Sequence, residues 1–129
     1  MDFIDRIRDL AEKAIDLKDQ LQSEEATKNA LIMPFINSLG YDVFNPNEVV
    51  PEFTADVGVK KGEKVDYAIM QDQKAVILFE CKASQLSLDE GHTSQLQRYY
   101  HVTEARFAVL TNGVNYRNPG NGSTQSSSD

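Results

Sequence analysis

The sequence predicts an α/β domain, and two observations support this. Apolar residues recur at helical spacing near the N-terminus, and short apolar runs bounded by turn residues follow in the rest of the chain. With 129 residues the chain is long enough for one domain with a hydrophobic core and short flanking segments. We predict an N-terminal amphipathic helix (1–22), a domain in the order helix, three strands, helix, strand (23–117), and a disordered tail rich in Ser, Gly and Asn (118–129).

The first helix is predicted from apolar residues spaced alternately four and three apart, with charged residues between them. Its repeat is short and places Ala14 at a seam position, so packing on the domain is favoured over a coiled coil. The apolar positions are Phe3, Ile7, Leu10, Ala14, Leu17 and Leu21.

A second helix is predicted between a cap at Ser23 and a terminator at Gly40, and Pro34 is expected to kink it. Glu24 and Glu25 lie in its first turn. The helix dipole favours carboxylates at that end, so these two residues have a structural interpretation of the same weight as a catalytic one.

Three strands, a helix and a last strand are predicted after Gly40. Pro51 is expected to interrupt the first strand, and the second and third strands are expected to form a hairpin about residues 71–73. The predicted segments are strands 49–53, 64–70 and 75–82, helix 93–103 and strand 105–111.

The second and third strands contain an Asp, a Glu and a Lys in an arrangement typical of nucleases. Side chains two apart on a strand share a face, so Glu80 and Lys82 project together. In the hairpin, Asp66 lies beside Glu80 on the neighbouring strand. Two carboxylates next to an ammonium group can hold Mg²⁺, or Mn²⁺ in its place, which activates water for phosphodiester hydrolysis.

The E-x-K triplet alone is weak support, because a [DE]-x-K sequence occurs by chance about once in a chain of this length. Its position is more informative. The run Val76–Phe79 has almost no polar alternation, which indicates a strand covered on both faces. Charges at the end of such a strand are costly unless they are paired or bind something.

The predicted order, together with these residues, resembles the PD-(D/E)xK nuclease superfamily, whose shared core is an αβββαβ unit with the metal site on its second and third strands. Gln95 and Tyr99 fit the Q-x-x-x-Y motif of one branch and are expected on one helical face. Val65 stands where the nominal motif has proline.

From about residue 23 to residue 117 the chain resembles the N-terminal nuclease domain of type I restriction enzyme R subunits. The resemblance implies a restriction-endonuclease-like fold with a mixed sheet, and a Mg²⁺-dependent nuclease of a restriction system that acts on DNA as an endonuclease. The sequence does not decide between DNA and RNA as the substrate, or between internal cleavage and cleavage from an end. The chain has no Walker A sequence, so the motor of such subunits is not in it. The matching stretches are Ser23–Ile32, Leu39–Tyr41, Lys64–Asp66, Phe79–Lys82 and Leu110–Gly113.

The resemblance also implies roles for individual residues. Asp66 and Glu80 would be catalytic metal ligands, and Lys82 a catalytic residue that orients or activates the attacking water. Glu24, with Glu25 as the alternative, would correspond to the acidic residue of the first core helix and be a further metal ligand.

Binding to DNA is expected to be weak. The net charge is −7, whereas affinity for nucleic acid comes mostly from neutralisation of phosphates by Lys and Arg. Gln95 and Tyr99 would support the site or touch the nucleic acid. The other candidate contacts are Arg98, Lys60, Lys61 and Lys64.

A second interpretation is a catalytically silent module on the nuclease fold that binds a protein partner or nucleic acid. The acidic charge favours it, and the intact triad of Asp66, Glu80 and Lys82 opposes it. The N-terminal helix is the predicted docking surface for a partner or a second copy if it does not pack on its own domain.

The chain is expected to be cytoplasmic and to bind no membrane. It has no apolar run of about 18 residues and no cationic start of a signal peptide. Its single cysteine excludes an internal disulfide.

Overall fold

The computed structural model describes residues 2–54, 64–88, 94–103 and 105–118. It contains an N-terminal helix, a second helical segment that runs continuously over residues 24–38, and a five-stranded mixed sheet. This confirms the predicted α/β fold class. No helix among these residues is both long and apolar enough to span a membrane. The helical elements are α1 (Phe3–Leu17), α2 (Glu24–Thr27), a π-helical turn (Lys28–Ile32), α3 (Met33–Ser38) and α4 (Ser94–Val102), and the strands are β1 (Val49–Phe53), β2 (Val65–Gln71), β3 (Lys74–Cys81), β4 (Phe107–Thr111) and β5 (Tyr116–Arg117).

The sheet has the strand order β1-β2-β3-β4-β5. Among the strands of the described residues only the β3–β4 pair is parallel, so the sheet is mixed. The strand that contains Pro51 is at one edge, where a missing N–H is tolerated. The fifth strand was not predicted, because two residues are too short to produce a strand pattern. It pairs with β4 after a turn in which Gly113 has a φ of +86°.

The predicted β2–β3 hairpin is confirmed. Gln71 pairs with Lys74 across a two-residue turn. Both turn residues, Asp72 and Gln73, have positive φ angles, of 52° and 66°. A turn with positive φ at both central positions matches the right-handed twist of the strands that it joins.

Helices cover both faces of the sheet. Leu78 packs with Leu96 of α4 on one face, whereas Phe79 packs with Ile32 and Ile36 of the second helical segment on the other. Strand β3 is therefore buried on both sides, as its apolar sequence indicates.

The second helical segment is interrupted where Pro34 was expected to disturb it. Ser23 caps the segment, with its Oγ accepting a hydrogen bond of 3.0 Å from the N–H of Ala26. A π-helical turn precedes the proline, and the N–H of Met33 donates to the carbonyl of Lys28, five residues back. Gly40, with a φ of +104°, follows the end of the segment as predicted.

Helix α1 packs on the domain. Ala14 and Leu21 are buried in one cluster with Leu31. The helix ends at Leu17, earlier than the predicted end at residue 22. The chain turns after Leu17, and this turn brings Leu21 into the same cluster.

Candidate active site

The ladder between β2 and β3 ends beside Asp66. Its last paired residues are Tyr67 and Phe79, and continuation of that register would place Asp66 opposite Glu80. The Oδ2 of Asp66 instead accepts a hydrogen bond of 2.7 Å from the backbone N–H of Cys81. A side-chain carboxylate thus replaces the backbone acceptor of the ladder at this point.

Beyond Asp66 each strand stays paired with its outer neighbour. Val65 pairs with Phe53 of β1, and Cys81 pairs with Thr111 of β4. The two central strands therefore separate from each other while both remain in the sheet. This opening between β2 and β3 is the candidate active site.

Glu80 and Lys82 share a face at the opening, as predicted. The Nζ of Lys82 lies 3.6 Å from the Oε2 of Glu80, and the two side chains are 22% and 12% exposed. Phe79 and Cys81, the alternate residues of the strand, belong to the apolar cluster on the other face. This geometry agrees with the prediction that Glu80 and Lys82 lie on one face of the strand.

Glu80 is held in an environment that disfavours its charge. Burial, together with the negative charge of Asp66, raises the pKa of Glu80 to about 8, and Lys82 opposes this only in part. The Oε1 of Glu80 is buried and has no hydrogen-bond partner. A buried carboxylate oxygen without a partner is costly, and a bound cation would satisfy it.

Lys28, which the sequence analysis did not select, is the second lysine at the site. Its Nζ lies 2.8 Å from Oδ1 of Asp66 and 3.0 Å from Oε1 of Glu25. Burial lowers the pKa of Lys28, but the hydrogen bonds to Asp66 and Glu25 outweigh burial, and the pKa is raised above its ordinary value. Lys28 therefore stays protonated and places a positive charge next to Asp66. Lys28 and Glu25 are three residues apart on a helix, a spacing that could have indicated their pairing. No local sequence pattern indicates the contact between Lys28 and Asp66.

Gln95 connects α4 to the strand that bears Asp66. Its Nε2 donates a hydrogen bond to the carbonyl oxygen of Lys64, two residues before Asp66. Tyr99 is fully buried, with its ring edge-on to Phe53 at a centroid distance of 6.4 Å. Tyr99 therefore has no exposed surface in this structure, and its role as support for the site stays a prediction.

A family model described as type I restriction enzyme R protein N terminus matches residues 23–118. The chain belongs to this family. The resemblance identified from the sequence is confirmed over the same part of the chain. No curated protein and no solved structure matches the chain.

In this R-protein N-terminal domain, the two acidic residues of the first turn of α2 differ in their contacts. Glu25 is paired with Lys28. Glu24 is exposed, and its charge is one of the smaller causes, after burial and Asp66, that raise the pKa of the Cys81 thiol. Among the described residues no three Asp, Glu, His or Cys side chains form a cluster that could hold a metal ion. Glu24 as a metal ligand stays a prediction.

Two of the four basic residues predicted to contact phosphate, Lys64 and Arg98, lie among the described residues. Lys64 is exposed and forms an ion pair of 3.3 Å with Glu52. Arg98 is half-buried on α4. Lys60 and Lys61 lie outside the described residues.

A buried polar network joins the elements around the site. The Oγ1 of Thr27 accepts a hydrogen bond of 3.0 Å from the N–H of Ser84, and the Ser84 hydroxyl donates to the carbonyl of Asn112 at 2.9 Å. The Nδ2 of Asn112 donates to the carbonyl of Leu86 at 2.7 Å. The network thus fixes the helix that bears Lys28 against the segment that follows Lys82. Sequence reasoning missed it, because isolated polar residues have no periodic signal.

Proposed function

We propose that the chain is a Mg²⁺-dependent nuclease domain of the PD-(D/E)xK type that hydrolyses phosphodiester bonds in DNA as an endonuclease of a restriction system. The observation that supports this most strongly is the position of Asp66 and Glu80 where β2 and β3 separate, with Lys82 paired to Glu80. Membership of the R-protein N-terminal family supports the restriction context.

The chemistry of the carboxylate pair fits a hard divalent cation. Glu80 has a buried oxygen without a partner, and Asp66 and Glu80 together present only oxygen donors. Mg²⁺ is held in proteins by one or two carboxylates with water and substrate phosphate, so these two residues suffice as its protein ligands, and Mn²⁺ has the same preference. When bound there, Mg²⁺ would supply Lewis-acid activation of water and offset charge on the scissile phosphate.

The residues of the chain have distinct parts in this proposal. Two contacts hold the Asp66 carboxylate in the metal-free protein, one from the Cys81 N–H and one from Lys28. The ammonium group of Lys82, held by Glu80, orients the attacking water and stabilises negative charge that develops on the phosphate. Gln95 keeps the start of β2 in place through its hydrogen bond to Lys64.

The isolated domain would bind DNA only weakly, with a dissociation constant on the order of 10⁻⁴ to 10⁻⁶ M at physiological salt. Its net charge is −7, and the lysine with a described position among its candidate contacts, Lys64, already has an acidic partner. A protein partner or a second copy would supply the missing affinity. Helix α1 packs on the domain through Ala14, but Ile4 and Ile15 of the same helix stay exposed and offer a surface for such a partner.

Cleavage assays on supercoiled, linear and single-stranded DNA and on RNA, each with Mg²⁺, Mn²⁺ or EDTA, test the proposal. We expect supercoiled DNA to be nicked or linearised with Mg²⁺ or Mn²⁺ and left intact with EDTA. Asp66→Asn is the matched inactive variant. Metal-independent cleavage, or cleavage that persists in Asp66→Asn, would reject the proposed site. Binding of DNA without any cleavage would favour the silent module.

A further inference from the structure

Lys28 occupies the part of the site where a metal ion would bind. The two oxygens of Asp66 are both engaged, Oδ2 by the backbone N–H of Cys81 and Oδ1 by the Nζ of Lys28. The N–H of Cys81 is fixed in strand β3, whereas Lys28 has a flexible side chain. Of the two donors, only Lys28 is able to leave Asp66 without a change in the sheet.

The Asp66–Lys28 pair differs from an ordinary surface ion pair. The side chains of Lys28 and Asp66 are 13% and 19% exposed, whereas those of the pair Lys64 and Glu52 are 53% and 70% exposed. Solvent screens the exposed pair of Lys64 and Glu52, so this pair contributes little to stability. The half-buried pair interacts strongly with any other charge that enters the opening.

Glu25 gives Lys28 a second partner outside the opening. The Nζ of Lys28 is 3.0 Å from Oε1 of Glu25, whose side chain is 76% exposed. Lys28 could therefore release Asp66 and still have a carboxylate partner. Without Lys28, the carboxylates of Asp66 and Glu80 would lie close together with Lys82 as their compensating cation among the described residues.

We propose that Lys28 is a built-in competitor of the divalent metal ion: its ammonium group neutralises Asp66 while no metal is bound, and it yields Oδ1 of Asp66 to the metal while Glu25 retains it. This inference rests on the proposed function, since it assumes that Asp66 is a metal ligand. Lys28 is thus a positioning residue that acts through Asp66. It stabilises the metal-free protein and weakens metal binding.

The test compares Lys28→Met, which removes the charge, with Lys28→Arg, which keeps it. Lys13→Met, on the exposed side of α1, is the control for loss of a lysine elsewhere. Thermal midpoints are measured in EDTA and in Mn²⁺, and the affinity for Mn²⁺ is measured by calorimetry.

We expect Lys28→Met to have a lower midpoint than the unmodified chain in EDTA and a larger rise in midpoint when Mn²⁺ is added. Its affinity for Mn²⁺ should be tighter by about tenfold, because a cation at the metal's ligand has been removed. Lys28→Arg and Lys13→Met should match the unmodified chain in affinity.

Equal or weaker Mn²⁺ affinity in Lys28→Met would overturn the proposal. If Lys28→Met does not fold, Lys28→Gln retains a hydrogen-bond donor without the charge and should show the same tightening. Failure of both variants to fold even with Mn²⁺ would make Lys28 a structural residue and also reject the competitor role.

DNA cleavage measured in parallel separates this proposal from the proposed function. Tighter Mn²⁺ binding in Lys28→Met, with no cleavage by the unmodified chain, would support the competitor role and reject the nuclease. Cleavage by the unmodified chain, with Mn²⁺ affinity unchanged in Lys28→Met, would do the reverse.

Discussion

The two ends of the β2–β3 hairpin contain the same short pattern in different surroundings. Asp72-Gln73-Lys74 at the turn and Glu80-Cys81-Lys82 at the open end both match [DE]-x-K. At the turn all three residues are exposed. At the open end Cys81 is buried, and the side chains of Glu80 and Lys82 are 12% and 22% exposed.

This difference shows that burial, and not the pattern, separates a solvated charge pair from a candidate site. Water hydrates the charges at the turn, so they add little to stability or chemistry. At the open end the ladder has stopped, a second carboxylate, Asp66, is adjacent, and the pKa of Glu80 is raised by its burial. Such a costly arrangement is typical of functional sites.

The largest difference between the two ends should appear in DNA cleavage. Lys82→Met should reduce cleavage by about 10²-fold or more, because it removes the group that stabilises charge on the phosphate. The thermal midpoint should change little, because Glu80, with a pKa of about 8, is already mostly protonated at neutral pH, so its pairing with Lys82 contributes little there.

Lys74→Met, at the turn, is the matched control and should retain cleavage. A large loss of stability in Lys82→Met with cleavage retained would instead make Lys82 a structural ion-pair partner of Glu80.

The second difference is in the pH dependence of stability. Because burial raises the pKa of Glu80 from 4.5 to about 8, ionisation of Glu80 disfavours the folded state. Its contribution to the free energy of unfolding is fully present below pH 4.5 and is lost as the pH rises through about 8. Glu80→Gln removes this loss.

Urea unfolding at about pH 5 and about pH 9 measures the effect. The gain of Glu80→Gln over the unmodified chain should be larger at the higher pH, by a few kcal/mol at most, since one pKa unit corresponds to about 1.4 kcal/mol. An equal difference at both pH values would show that Glu80 titrates normally.

A smaller effect is expected from the polar network behind the open end. Ser84→Ala removes the hydrogen bond to the Asn112 carbonyl and leaves that buried acceptor without its partner, which should lower the free energy of unfolding by about 1–3 kcal/mol. Ser87→Ala, in the same segment but exposed, is the control. Chemical denaturation of both variants would show equal stability if the network contributes nothing.

The smallest effect is expected at the turn. Asp72→Asn keeps a residue type that tolerates positive φ and removes only an exposed charge, so the free energy of unfolding should change by no more than about 0.5 kcal/mol. A loss of cleavage in Asp72→Asn would show that the turn end also belongs to the functional site, which would contradict the contrast between the two ends.

Sequence periodicity was sufficient to predict the hairpin and to predict that its charged residues lie close together. Alternation along a strand placed Glu80 and Lys82 on one face, and pairing brought Asp66 beside them, because both are local consequences of strand geometry. The fifth strand could not be predicted, since two residues contain no repeat.

The contact of Lys28 with Asp66 could not be predicted either. It depends on how the second helical segment packs over the sheet, and on a π-helical turn that begins at Lys28. Contacts between elements distant in sequence are set by packing, whereas single-sequence patterns describe one element at a time.

Calorimetric titration of the unmodified chain and of Asp66→Asn with Mn²⁺ tests most directly whether the open end of the hairpin is a metal site. We predict one site in the unmodified chain, its loss in Asp66→Asn, and its retention in Asp72→Asn. The absence of a site in the unmodified chain, or unchanged Mn²⁺ binding in Asp66→Asn, would contradict the assignment of Asp66 and Glu80 as metal ligands.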